Sequence, residues 1–155
     1  MKRRMWLAAF GGLLMTAAVG LAADDPNMGT WKLDEAKSKI SAGSTKNATV
    51  VYEASGDSIK VTIDGVDGDG KATHDEWTGK FDGKDYPVTG DPLAKTRSYK
   101  RVNSHTLVAS NHKDGKVVLT ARIVVSADGK TRTVSVSTTD ANGKKVNSTS
   151  VYNKQ

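Results

Sequence analysis

The sequence predicts an all-β protein: a single up-and-down antiparallel β-barrel of about ten strands, with little helix. Two observations carry this. An Asp-Gly or Asn-Gly pair followed by lysine recurs at Asp69-Gly70-Lys71, Asp82-Gly83-Lys84, Asp114-Gly115-Lys116, Asp128-Gly129-Lys130 and Asn142-Gly143-Lys144. Such pairs favour tight hairpins, because both central residues of a type I′ turn need positive φ. Between the turns, β-branched residues alternate with polar ones, the pattern of strands with one buried face. A meander of such hairpins has two unpaired edges, and closing into a barrel removes both.

In chain order, the first element is an export signal over residues 1–23. Lys2-Arg3-Arg4 form its positive start, Trp6 to Val19 its apolar run, and Gly20, Ala22 and Ala23 the small residues that suit cleavage after Ala22 or Ala23. The apolar run is too short, and too soon followed by Asp24-Asp25-Pro26, for a membrane span. Residues 24–155 form the barrel domain, with an exported location, periplasmic or extracellular.

Strands are expected near 29–34, 47–55, 58–65, 71–81, 84–88, 95–102, 105–112, 116–126, 130–139 and 144–153. Ile59, Val61 and Ile63 alternate with Lys60, Thr62 and Asp64. Val117, Leu119, Ala121, Ile123 and Val125 make the cleanest apolar face, and Val134 and Val136 oppose a polar row of Thr131, Thr133, Ser135 and Ser137. Only Asp34 to Lys39 has room for a turn or two of helix. The last strand offers few large apolar groups, so the interior is either a cavity, as in ligand-binding barrels, or a modest solid core.

Composition narrows the function classes. Without the signal the chain carries 20 Lys and Arg against 17 Asp and Glu, a mild surplus that gives no reason to expect a nucleic-acid partner. The chain has no cysteine, which excludes disulfides, thiol catalysis and thiolate metal sites. No nucleophile-elbow, zinc-protease or phosphate-loop motif is present, so no enzyme is predicted. The three histidines His74, His105 and His112 read as exposed strand residues, and no metal or cofactor is expected. Asp67, Asp69, Gly70 and Glu76 partly imitate a calcium loop, but the flanks are strands and the reading is a solvated acidic turn. Arg97, Tyr99 and Arg101 share one face that could hold an acidic group, although a wet sheet face is the commoner setting for arginine.

Gly29-Thr30-Trp31-Lys32-Leu33 resembles the opening strand of the calycins, the lipocalins and fatty-acid-binding proteins, whose Gly-x-Trp plugs one end of the barrel. Arg122-Ile123-Val124-Val125 with Asp128-Gly129-Lys130, and Thr149-Ser150-Val151-Tyr152-Asn153-Lys154, are similar to later segments of the fatty-acid-binding branch. Ser150 stands where that branch has an arginine, and the stretch from Asp34 to Lys46 is too short for its helical lid. Trp31-x-Leu33-Asp34 with Ser38 and Ile40 is also similar to the opening of exported bacterial polyisoprenoid-binding barrels.

The resemblance implies a bacterial, exported, monomeric lipocalin-like barrel. It would bind a small hydrophobic or amphipathic molecule, such as a fatty acid or isoprenoid, non-covalently. Gly29 and Trp31 would plug it, Trp77, Phe81 and Tyr99 would supply apolar wall, and Arg122, Ser150 and Tyr152 polar contact. Simple alternation puts Arg122 outside, opposite Ile123, and only a bulge would turn it inward. The alternative is an envelope interaction module with a solid core and no ligand.

Overall fold

Ten strands follow one another in a computed structural model that describes residues 25–155; the expected export signal lies outside the described residues. They are β1 (Gly29–Lys39), β2 (Lys46–Ser55), β3 (Ser58–Val66), β4 (Ala72–Gly79), β5 (Tyr86–Thr89), β6 (Thr96–Asn103), β7 (Thr106–Lys113), β8 (Lys116–Val125), β9 (Thr131–Thr139) and β10 (Lys145–Lys154). Each pairs antiparallel with its neighbours in sequence, and β1 pairs with β10 to close the barrel. Trp31 lies opposite Lys154, and Leu33 opposite Tyr152. The all-β meander is therefore as expected, and closure leaves no strand edge open for pairing with another chain.

The helical turn expected over Asp34 to Lys39 is absent. β1 runs on to Lys39, and four of its residues, 35–38, are set against Ser150 alone between the pairs Asp34–Val151 and Lys39–Thr149. The Ser38 hydroxyl bridges this bulge, accepting from the Val151 N–H at 2.9 Å and donating to the Asp34 carbonyl at 2.7 Å. Those bonds replace the ladder the bulge interrupts, so a helix has nothing to gain there.

The turns also differ from the expectation. Among the described residues only Asp114-Gly115 has both members at positive φ, 52° and 75°. At 67–71 and 140–144 the glycine alone is left-handed and an earlier aspartate anchors the loop. Asp67 Oδ1 accepts from the N–H groups of Asp69 and Lys71, both at 2.9 Å. Asp140 Oδ1 accepts from Asn142 and Lys144, at 2.9 and 2.8 Å. These are longer loops held by an Asx turn. Asp82-Gly83-Lys84 makes no tight turn; it lies in the longer connection from β4 to β5 and leans on β6, with the Gly83 N–H donating to the Tyr99 carbonyl at 2.8 Å.

The interior is filled from all round the wall, with Leu107, Ile123, Val125 and Tyr152 buried on β7, β8 and β10, but its largest rings are grouped on the other strands. Strands β7, β8 and β10 present small groups inward, Ala109, Ala121 and Ser150, while Trp31, Tyr52, Trp77 and Tyr99 reach across from β1, β2, β4 and β6; all are buried. Gly79 leaves room for them: a Cβ there would sit 2.6 Å from ring atoms of both Trp77 and Tyr86. Burying aromatic side chains of this size dominates the stability of a core.

Candidate functional site

At the end of the barrel where β1 begins, Trp31 is fully buried and its indole N–H donates to the Asn27 carbonyl at 2.9 Å. Residues 25–28 fold over this end: Asn27 is completely buried, Asp25 pairs with Arg101 of β6, and Met28 packs on the core. Lys154 covers the Trp31 ring from outside, 5.2 Å from its centre. Gly29 holds φ 108°, and a Cβ there would come to 3.0 Å from Lys154 Cε, so a side chain at 29 meets both backbone strain and crowding. Gly29 and Trp31, expected as a barrel plug, both stand at this end.

Arg132 of β9 is the most unusual group in the interior. It is only 2% exposed, and its Nε and Nη1 have no hydrogen-bond partner. Its guanidinium carbon lies 5.1 Å from the ring centre of Trp31, 5.0 Å from Tyr52 and 4.8 Å from Tyr152. Three ring faces partly replace its lost hydration, but no carboxylate among the described residues supplies a counter-charge. Burial pushes the Tyr152 phenol up, against the pull of Arg132 and of a hydrogen bond from Ser150. Arg132 shares the apolar face of Val134 and Val136, and that alternation is the sequence signal that could have placed it inside.

Above this layer, Trp77, Phe81 and Tyr99, expected as apolar wall for a ligand, pack against one another. Trp77 lies 4.7 Å from Tyr99 edge to face and 6.4 Å from Phe81 in parallel, and Tyr52 completes the cluster at 6.2 Å from Tyr99. Burial pushes the Tyr99 phenol well above its usual range, which keeps it neutral. Ser150 and Tyr152 are buried on β10, directly opposite Val134 and Arg132.

The face of Arg97, Tyr99 and Arg101 is the interior, not a wet surface. Arg97 is 5% exposed. Its Nη1 lies 2.9 Å from Asp75, its Nη2 3.3 Å from Asp91, and its Nε donates to the Asn111 side-chain oxygen at 2.9 Å. Asn111 also donates to Asp91 at 3.1 Å, and the Arg97 carbonyl accepts from the Trp77 indole at 2.8 Å. Burial alone would lower the guanidinium pKa; Tyr99, Asp75 and Asp91 reverse that and hold it charged. One guanidinium facing two carboxylates leaves surplus negative charge, and burial raises Asp75 despite Arg97. A guanidinium so occupied has nothing left to offer a ligand anion.

Arg122 is corrected to the outer face. It is exposed, between the buried Ala121 and Ile123, and lies opposite Val108 of β7 and Ser135 of β9. β8 and β9 pair through this stretch without a register shift, so alternation alone decides its side.

Two hollows on the wall lie away from the aromatic cluster. One, of about 290 Å³, crosses β8, β9 and β10 beside Arg122; the other, of about 180 Å³, lies near Val117 and Lys145. The histidines do not converge, and no group of three or more His, Asp or Glu among the described residues is placed to hold a metal. No helix among them is long and apolar enough to cross a membrane.

The described chain is a closed antiparallel β-barrel of ten strands in meander order. No protein-family model and no curated protein matches the chain. Among solved structures it is similar to lobster apocrustacyanin A1, at TM-score 0.43 and 14% identity, over 86% of this chain and 66% of that one. The chain thus spans just under two thirds of that protein's length.

Proposed function

We propose that this is an exported barrel that binds a small amphipathic molecule with an acidic group, non-covalently. The observation that carries the reading is Arg132, a guanidinium 2% exposed, with two unpartnered nitrogens and no carboxylate beside it. Leaving a buried charge uncompensated is expensive, and a ligand anion would compensate it. Leu33 of β1 and Val134 and Val136 of β9, the strands on either side of β10, are only partly buried and offer apolar contact for the rest of the molecule. Arg132 thereby takes the polar role that the resemblance assigned to Arg122, alongside Ser150 and Tyr152. A fatty acid or an acidic isoprenoid fits this chemistry.

One observation favours a second reading, a surface-acting module with a solid core: Trp77, Phe81 and Tyr99 fill the interior by packing on each other. Native mass spectrometry of protein produced with its own leader separates the two. Co-purifying mass of a small acid, displaced by a fluorescent fatty-acid analogue and lost in Arg132→Met, supports the carrier. Bare polypeptide with no binding of the analogue sinks it in favour of the module.

A further inference from the structure

The outer groove across β8, β9 and β10 is built from two cross-strand rows. Arg122, Ser135 and Thr149 form one row; Thr120, Ser137 and Asn147 form the other. All six line the hollow of about 290 Å³. Its depth has a local cause: the two short serines of β9 lie between longer side chains on β8 and β10. Strands about 4.8 Å apart and rows two residues apart set these groups at fixed spacing.

Charge is divided around the same wall. Because the strands follow in chain order, each half of the sequence is one half of the barrel. Residues 25–91 carry eight Lys and Arg against thirteen Asp and Glu, whereas residues 92–155 carry twelve against three. The spans of β8, β9 and β10 contain no Asp or Glu. Of the four arginines in the described residues, Arg97 and Arg101 are paired with carboxylates and Arg132 is caged by rings; Arg122 alone is exposed with no acidic partner among them.

We propose that this groove binds a carboxylated sugar unit of an anionic polysaccharide, with Arg122 pairing to the carboxylate. Short hydroxyls and an amide both donate and accept, which suits the hydroxyls of a sugar ring, and arginine suits a carboxylate by its planar fork. The other chemistries fit less well. No aromatic side chain lines the groove, so bases have nothing to stack on. Val108, Ala121 and Val136 also line it, but it is an open groove and not an enclosed slot for an acyl chain, and five neutral polar groups around one cation exceed what a simple anion uses.

The test is calorimetric titration of the folded chain with a short oligogalacturonate, beside a neutral glucan oligomer and polyglutamate of similar length. The expected result is saturable binding of the oligogalacturonate only, weakened at least tenfold by Arg122→Gln and abolished by Ser135→Phe, which fills an exposed site; circular dichroism confirms that both variants fold. Equal binding of polyglutamate would reduce the site to a general cationic surface and overturn the proposal. So would equal binding of the neutral oligomer, no binding of the oligogalacturonate, or binding indifferent to both variants. Loss of the interior ligand reading leaves this result untouched, since Arg122 and Arg132 lie on opposite sides of the wall.

Discussion

The guanidinium of Arg132 lies 4.8 Å from the ring centre of Tyr152, its direct partner across β9 and β10. Trp31 joins the same cage only because β1 meets β10. The cage therefore ties barrel closure to the one buried cation that lacks a carboxylate.

That arrangement predicts a contrast between two substitutions. Trp31→Ala removes a fully buried ring and should cost about 3–5 kcal/mol. Arg132→Met keeps most of the volume; it loses ring contacts worth about 0.5–2 kcal/mol but also a desolvation penalty of similar size or larger. Its net change should stay within about 2 kcal/mol. Urea unfolding of both variants checks this, and a larger loss for Arg132→Met than for Trp31→Ala would contradict it.

Arg97 should behave in the opposite way. Removing its charge leaves Asp75 and Asp91 facing each other half-desolvated, with side chains 17% and 13% exposed. Arg97→Met should therefore destabilise by about 3–5 kcal/mol. Asp91→Asn, which relieves part of the surplus negative charge and keeps a hydrogen-bonding group, should cost far less. Thermal unfolding of the two variants side by side would show the ranking.

Asp75 gives the network a pH dependence. Its folded pKa is raised above 3.8, first by burial, so the folded state holds this proton more tightly than the unfolded chain does. Its favourable contribution is full below pH 3.8 and is lost as pH rises through the raised folded value. Wild type should thus lose stability relative to Asp75→Asn as pH climbs through that window, with a constant difference above it. Melting temperatures taken across the range test the sign.

His74 offers a surface check. Its ring Nδ1 lies 2.6 Å from Asp64, and that hydrogen bond chiefly raises its pKa above 6.5, with Glu76 adding to it. Its contribution is therefore full below pH 6.5 and fades as pH rises through the raised value. An NMR titration should find His74 titrating above 6.5 and moving down in Asp64→Asn; no movement would mean the contact is not populated in solution.

Much of the fold was legible because its causes are local. Alternation with period two and the turn residues mark all ten strands to within two residues, save for the far end of β1. The same alternation places Arg122 outside and Ile123 inside. Alternation also puts Arg132 beside Val134 and Val136, and Arg97 beside Tyr99, but local pattern says nothing of what such a residue will face.

That was decided by closure. Asp25 and Arg101 are 76 residues apart, and Arg97 and Asp75 are 22; they meet because the sheet curls until its first strand finds its last. The sequence by itself determined the strands, the places of the turns and, around Arg122 and Ile123, the side of the wall, since these depend on neighbours within a hairpin. Only the tertiary structure decided that aromatics fill the interior, that Arg97 is spent on two carboxylates, and that Arg132 is left without one. A buried charge is defined by what lies across the barrel, and no short stretch of chain carries that information.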